Sequence, residues 1–383
     1  MKEHFLLDSE TTFLNFGSFG ACPKPVFKAY QDFQVLLEKN PVQFIVKIGP
    51  ELLNESRKVL AEFIDCDFKD FVFVQNPSYA VNVIVKSLKF KSGDEVLTTD
   101  LEYGACDRTW NFYANERGFV YKRQAISLPI QSKEQFLDEF WKGYSDKTKL
   151  VFISQITSAT GLILPVKEIV EEAKKRGLMT FVDGAHVPAH IPLSLNELDP
   201  DFYTGACHKW MMTPKGSSFM YVRSELQHII DPLIVSWGYD ADYPTDSQFY
   251  DYHQFNGTRD FSAYLTIPSA IDFMQQHNWL EKTKFCYERT LFWVQKLSEL
   301  LDSKPLAPLT NDFYGLLGSL EITCENPIDL KNILYDKYQI EIPVMVHNGK
   351  TYIRFSYHPL NSERDLERLY EVLKELKSLN QIR

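Results

Sequence analysis

Residues 201–222 read DFYTGACHKWMMTPKGSSFMYV, and the fold turns on how this stretch is interpreted. It opens on an acid and closes on the alternating apolar run SFMYV, which reads as a strand. Between them the residues predict a small-residue turn, then His208, Lys209 and Trp210, then Pro214 and Gly216. Lys209 stands among apolar, small and turn-forming neighbours. An ammonium in such a place must snorkel to water, pair with an acid, or react.

Upstream, short apolar strands alternate with helices. FVFV (71–74) reads as a strand, and after Asn76, Pro77 and Ser78 a helix carries Val81, Ile84, Val85 and Leu88. Further strands are expected over 95–99, 119–123, 150–155 and 178–182, with helices over 103–114, 133–141 and 166–176. This βαβα rhythm predicts an α/β domain with a mostly parallel central sheet covered by helices. Ligands of such sheets gather beyond the carboxyl ends of the strands. Asn76, Ser78, Tyr103, Ser158, Asp183 and His186 all follow strand ends or open helices, so the topology brings them to one edge. Ser78 either caps its helix or, with free N–H groups beside it, holds an anion such as phosphate.

On the other side of this core, TTFLNFGSFGACPKP crowds Gly17, Gly20, Pro23 and Pro25 around Asn15 and Ser18. It reads as an irregular segment before helices at 26–38 and 51–63. Beyond residue 260 a long helix (279–301), a strand (315–323) and a helix (327–338) precede strands at 341–346 and 351–356. Asn348–Gly349 joins those strands as a hairpin, and a helix over 362–376 follows. The expected division is an N-terminal segment (1–50) serving the site and the small domain, a large α/β domain (51–260), and a small C-terminal α+β domain (261–383).

Composition narrows the partners. The 383 residues are 44% hydrophobic with a formal charge of −10 and no basic tract, which argues against nucleic acid. Six scattered cysteines without a CxxC pair argue against a disulfide scaffold or a zinc ribbon. No apolar run is long enough to span a bilayer, and MKEHFLLDSETTFLN lacks the core of a signal peptide. A cytoplasmic protein without a membrane partner is expected.

Asp183 ends the strand in MTFVDGAHVP, where an acid is costly unless a partner meets it. His186 follows three residues on, but no third ligand stands at convincing spacing, so no metal is expected. An amine able to condense with an aldehyde, a carboxylate able to pair with a protonated pyridine nitrogen, and an anion site at Ser78 together meet the needs of pyridoxal phosphate.

FLNFGSFGACPKPV, NPSYAVN, TTDLEYGACDRTW, SATGLILPV, VDGAHVP, DFYTGACHKWMMTPKG, NGTRDFSAYLTIPSAIDF and IRFSYHPLN occur in this order over nearly the whole chain. On these stretches the sequence resembles the class V aminotransferase family of fold-type I pyridoxal-phosphate enzymes, within it the isopenicillin N epimerase-like group. The resemblance implies pyridoxal 5'-phosphate bound through Lys209, which takes and returns the α-proton. It implies Asp183 at the pyridine nitrogen and Tyr103 stacked over the ring. It places Asn76, Ser78, the N–H of Tyr79 and His208 around the phosphate, Ser158 near the phenolic oxygen, and His186 beside the ring. Thr258 is expected to reach the phosphate of the other subunit of a homodimer. Arg354 is expected to grip the substrate α-carboxylate, with Asn15 and Gly17 lining the entrance. Departures from the family pattern are Leu101, His190 and Ala206; at the last, a phosphate hydrogen bond is either missing or supplied by Thr204.

The implied substrate is a small amino acid and the working reading an aminotransferase. The alternatives are an epimerase, a C–S lyase or desulfurase, and a non-catalytic binding protein on the same fold. A desulfurase needs a cysteine on a mobile loop, whereas Cys324 in LEITCENP reads as a strand end. Phe13, Phe16, Phe19 and Trp237 are candidates to narrow the substrate pocket.

Overall fold

The computed structural model describes residues 1–383. Its strands are β1 (Thr12–Phe13), β2 (Phe71–Val74), β3 (Glu95–Thr99), β4 (Val120–Gln124), β5 (Thr148–Ser154), β6 (Met179–Gly184), β7 (Phe202–Ala206) and β8 (Ser218–Val222), followed by β9 (Leu317–Glu321), β10 (Ile340–Glu341), β11 (Val344–His347) and β12 (Lys350–Ser356). Seven of them form one sheet in the order β2-β8-β7-β6-β5-β3-β4. Only β8 runs antiparallel to its neighbours.

Residues along these strands alternate between two apolar interiors, as a period of two requires. Phe71, Phe73, Val151, Ile153, Val182, Tyr203 and Phe219 face the larger core. Val72, Val74, Leu150, Phe152, Phe181, Phe202 and Met220 face a separate, smaller one. Helices Pro77–Ser87 and Gly104–Arg117 cover the smaller core with Ala80, Val81, Cys106 and Trp110. The larger core runs on without a break into the antiparallel sheet β11-β12-β9 and its helices Trp279–Leu300 and Glu363–Ser378. Burial on both faces is why the sheet strands read as near-continuous apolar runs.

The structure corrects the sequence reading at three places. The small-residue run Thr204–Ala206 is not a turn; it is the buried end of β7. Its smallness serves packing: a Cβ at Gly205 would press on the Phe219 ring, and one at Gly184 on β6 would overlap the Tyr203 phenol. The strand expected over 341–346 is two pieces, because Pro343 lacks an N–H and cannot continue a ladder. Ile340–Glu341 instead pairs in parallel with Thr12–Phe13, while Val344–His347 pairs with β12. The turn between β11 and β12 holds both Asn348 and Gly349 at positive φ, as a tight hairpin demands. Finally, Phe16–Phe19 in the expected irregular segment is a turn of helix, with Phe16 N–H on the Ser356 hydroxyl at 2.9 Å.

Candidate active site

A cavity of ≈ 210 Å³ opens at the carboxyl ends of β5, β6 and β7. It is lined in part by Asn76, Ser78, Tyr103, Ser158, Asp183 and His186, the six residues that the sequence places at strand ends and helix starts, together with His208 and Lys209.

Asp183 is 4% exposed. Its Oδ1 accepts the Ala185 N–H at 2.9 Å, and the Cys106 thiol lies 3.4 Å from Oδ2. Burial raises its carboxyl above the usual range, against the opposing pull of the Ala185 N–H, Lys209 and the thiol. Lys209 sits in the turn after β7. Burial pushes its amine down to about 8, Asp183 pulls it back, and Arg354 pushes it lower again. Both shifts have one cause, because taking these charges out of water costs more than their attraction returns.

The Lys209 amine lies 3.2 Å from His186 Nε2. On the far side of that ring, the Trp210 indole N–H donates to Nδ1 at 3.3 Å. Indole nitrogen only donates, so the neutral imidazole carries its proton on Nε2, facing the lysine. Burial first, then the positive neighbours Lys209 and Arg354, keep this ring neutral. Once the amine has lost its proton it receives a hydrogen bond through its lone pair, which agrees with its lowered affinity for a proton.

The helix Pro77–Ser87 points its N-terminus at the cavity. Asn76 caps it, accepting the Tyr79 N–H at 2.9 Å. That corrects the expectation for Tyr79: its N–H is spent on the cap and the residue lies outside the cavity lining. Ser78, at the second helical position, has no intrahelical acceptor for its N–H. His208 donates Nδ1–H to the Ser217 carbonyl at 3.0 Å, and burial lowers its pKa to about 4. Its remaining nitrogen holds a lone pair, so a neutral His208 accepts and does not donate there. Thr204 cannot replace the polar group absent at Ala206, because its hydroxyl is buried and donates to the Phe219 carbonyl at 2.8 Å.

Arg354 approaches from β12 and is 2% exposed. Its Nη1 donates to the Ser158 carbonyl and its Nη2 to the Ser18 hydroxyl at 3.3 Å. Nε has no partner, and no carboxylate contacts the guanidinium. Burial lowers its pKa to about 10, which leaves the charge in place at neutral pH. Gly17 does not line the entrance; it lies under Arg354, where a Cβ would stand 3.4 Å from Nη2 and 2.9 Å from Leu317 Cδ2. Asn15 lines a neighbouring cavity and donates to Glu341 at 2.8 Å. Thr258 is exposed and is not brought to the cavity within one chain.

Of the aromatic candidates, Phe13 and Phe19 line the neighbouring cavity. Phe16 is buried, stacked on His358 at 3.6 Å, and Trp237 is 83% exposed. Leu101 is core, and His190 is a tie: its Nδ1 meets the His186 carbonyl at 2.9 Å, its Nε2 accepts the Leu316 N–H at 2.6 Å, and its ring packs on Trp210. Sequence reasoning passed over Trp210, Cys106 and Glu102. The last is a buried acid pushed up to about 8, accepting from the Ser154 N–H and hydroxyl and from the Thr99 hydroxyl. Its signal was present in LEYG, an acid between an apolar residue and the start of a helix.

These residues fit pyridoxal phosphate. A buried acid stands where a protonated ring nitrogen needs a counter-charge, a weakly basic lysine stands where an aldehyde is to be captured, and a helix N-terminus with an unspent N–H suits a phosphate. Such a set at the carboxyl edge of this sheet belongs to the fold-type I pyridoxal-phosphate enzymes. A solved C-DES variant with glycine covalently linked to its PLP cofactor shares the fold, at a TM-score of 0.85 and 21% identity over 98% of this chain and 99% of that one.

The family model for class-V aminotransferases matches residues 20–369, and the chain belongs to that family, whose cofactor is pyridoxal 5'-phosphate. Isopenicillin N epimerase of Amycolatopsis lactamdurans is 31% identical over 98% of this chain and 97% of its own length. A probable chloroplastic L-cysteine desulfhydrase of Arabidopsis thaliana is 25% identical over 96% and 83%.

Proposed function

We propose that this chain is an enzyme that moves the α-proton of an amino acid, with epimerisation as its outcome. The carrying observation is Arg354: a buried guanidinium with no anionic partner, bonded to Ser18 and Ser158, which line the cavity that holds Lys209. Such a charge is kept at a cost of several kcal/mol unless an anion meets it, and an α-carboxylate supplies one. Bound at Lys209, pyridoxal phosphate supplies an electron sink that acidifies a Cα–H bond. Asp183, on the wall of the same cavity, would supply the counter-charge to a protonated ring nitrogen. Lys209, with its amine near pKa 8, takes and returns a proton close to neutral pH. His186 and Trp210 aim that amine. Ser78 and Asn76 would anchor the phosphate end, and Ser158 lines the cavity while its carbonyl holds Arg354.

Inversion requires proton carriers on two faces. Lys209 serves one, and the Tyr103 hydroxyl, on a ring that lines the cavity and is 47% exposed, serves the other. The epimerase among the relatives supports this reading. An aminotransferase is the second reading, favoured by Lys209 being the one amine in the cavity. A persulfide route is poorly served: no cysteine lines the cavity above Lys209, burial pushes the Cys22 thiol in the neighbouring cavity up to about 12, and Cys106 lies against Asp183. We further propose a homodimer in which Thr258 serves the other subunit's phosphate. No helix is long and apolar enough to cross a membrane.

The test is to incubate the cofactor-loaded protein in D₂O with L- and D-amino acids. Inversion with deuterium at Cα and no keto acid supports epimerisation. Stoichiometric keto acid replaces it by transamination. Pyruvate with sulfide from cysteine replaces both by C–S cleavage.

A further inference from the structure

Two cavities meet at the short helix Phe16–Phe19. One is the ≈ 210 Å³ space above Lys209; the other, of ≈ 760 Å³, is its neighbour, and Ser18 and Phe19 line both. The walls of the larger cavity include Leu6, Leu7, Phe13, Phe27, Val344 and Met345. Two of its polar wall groups are already engaged. Glu341 takes the Asn15 amide at 2.8 Å, and the Lys215 ammonium donates to the Gly20 carbonyl at 3.3 Å. Lys331 stands exposed at the rim. Asn15 Oδ1 is buried there without a hydrogen-bond partner, and most of the remaining wall is apolar.

Arg354 reaches Ser18 at 3.3 Å, so its guanidinium sits where the two cavities join. An amino acid held there by its carboxylate, with its amine toward Lys209, has its side chain left to place. The smaller cavity would be taken up by the cofactor, and the way past Ser18 and Phe19 leads into the larger one. A side chain of one or two heavy atoms stops at the junction. A longer apolar one moves onto the walls, where each methylene taken from water is worth about a four-fold gain in affinity.

Building on the amino-acid reading above, we propose that the larger cavity is the side-chain site and that the substrate is an amino acid with a bulky apolar side chain. Its specificity is set by the N-terminal segment and β11. Relatives named for cysteine chemistry would differ from this chain at that wall.

The experiment is a titration of the visible absorption band of the pyridoxal-phosphate-loaded protein with alanine, leucine and phenylalanine. Leucine and phenylalanine are expected to half-saturate at concentrations at least about ten-fold below alanine. Met345→Asp places a charge on the wall and is expected to weaken leucine and phenylalanine about ten-fold or more, while alanine stays within about two-fold. Should that variant fail to fold, Leu7→Asp makes the same test from a stretch outside any helix or strand. Alanine binding as tightly as phenylalanine, or all three shifting together in the variants, overturns the proposal. A band that responds to no amino acid overturns the amino-acid reading, and this site with it.

Discussion

Lys209 lines the cavity and Arg354 lies just behind its wall, both buried cations, and the chain treats them in opposite ways. Lys209 stands on the large sheet with a carboxylate nearby and an imidazole N–H against its amine. Arg354 stands on the small sheet with only neutral oxygens, and one of its nitrogens has no partner at all. The difference is chemical. An amine whose charge is cheap to lose is ready to become a nucleophile. A guanidinium keeps its charge at neutral pH even when burial has lowered its pKa, so it waits for an anion from outside. One region is complete for bond-making; the other is complete only with a ligand.

The sharpest break in this contrast is Lys209→Ala. Covalent retention of the cofactor should vanish and turnover fall by about 10³-fold or more, read from the absorption band and from borohydride trapping followed by mass spectrometry. Cofactor still trapped covalently in the variant would remove Lys209 from its role. Asp183→Asn keeps an acceptor for the Ala185 N–H but removes the charge, and turnover should drop about 10²- to 10³-fold with the lysine linkage intact. Arg354→Gln should raise the half-saturating amino-acid concentration about 10²-fold, as expected for a lost charge-assisted bidentate contact. The matching amine without a carboxylate should bind the two proteins alike; if it weakens equally, the contrast between the two cations collapses.

A smaller effect lies behind the site. His190 is 1% exposed with its pKa lowered to about 3, so the fold favours the neutral ring. The unfolded chain takes up a proton below its ordinary value of 6.5 and the fold does not. Stability therefore falls as pH drops from 6.5 toward 3, by about 1.4 kcal/mol per pH unit for this ring alone. Urea unfolding between pH 7 and 5 should lose that slope in His190→Gln; an unchanged slope would mean that the ring is already protonated in the fold. The smallest change is expected at Lys28→Ala. This residue is paired with Asp32 on an exposed helix face, and the stability change should stay within about 0.5 kcal/mol.

The two cations also differed in how plainly the sequence announced them. Lys209 and Asp183 break apolar or small-residue runs, and a charge that violates its local pattern is visible without any partner in view. Arg354 lies in a strand whose neighbours are buried on both faces, so alternation gave no hint and only the resemblance marked it. The Tyr79 N–H and the tautomer of His208 were not legible because the fate of an N–H depends on its acceptor. The Asn76 cap was within reach of a local reading, but the Ser217 carbonyl that orients His208 is set by the turn between β7 and β8. The run Thr204–Ala206 looked like a turn because the ring that needs its smallness, Phe219, belongs to the next strand. Local pattern conveyed the elements and the charged outliers; the proton positions and the close packing came from tertiary neighbours.

The pairing of β1 with β10 has a consequence for how the protein is made. Asn15 meets Glu341 across 326 positions, and Phe16 meets Ser356 across 340. At roughly 5–20 residues per second, about 16–65 s of translation separate Asn15 from its partner. The segment at the mouth of the site thus leaves the ribosome long before the strands that hold it in place. Through that interval its run of phenylalanines is exposed to whatever else is in the cell.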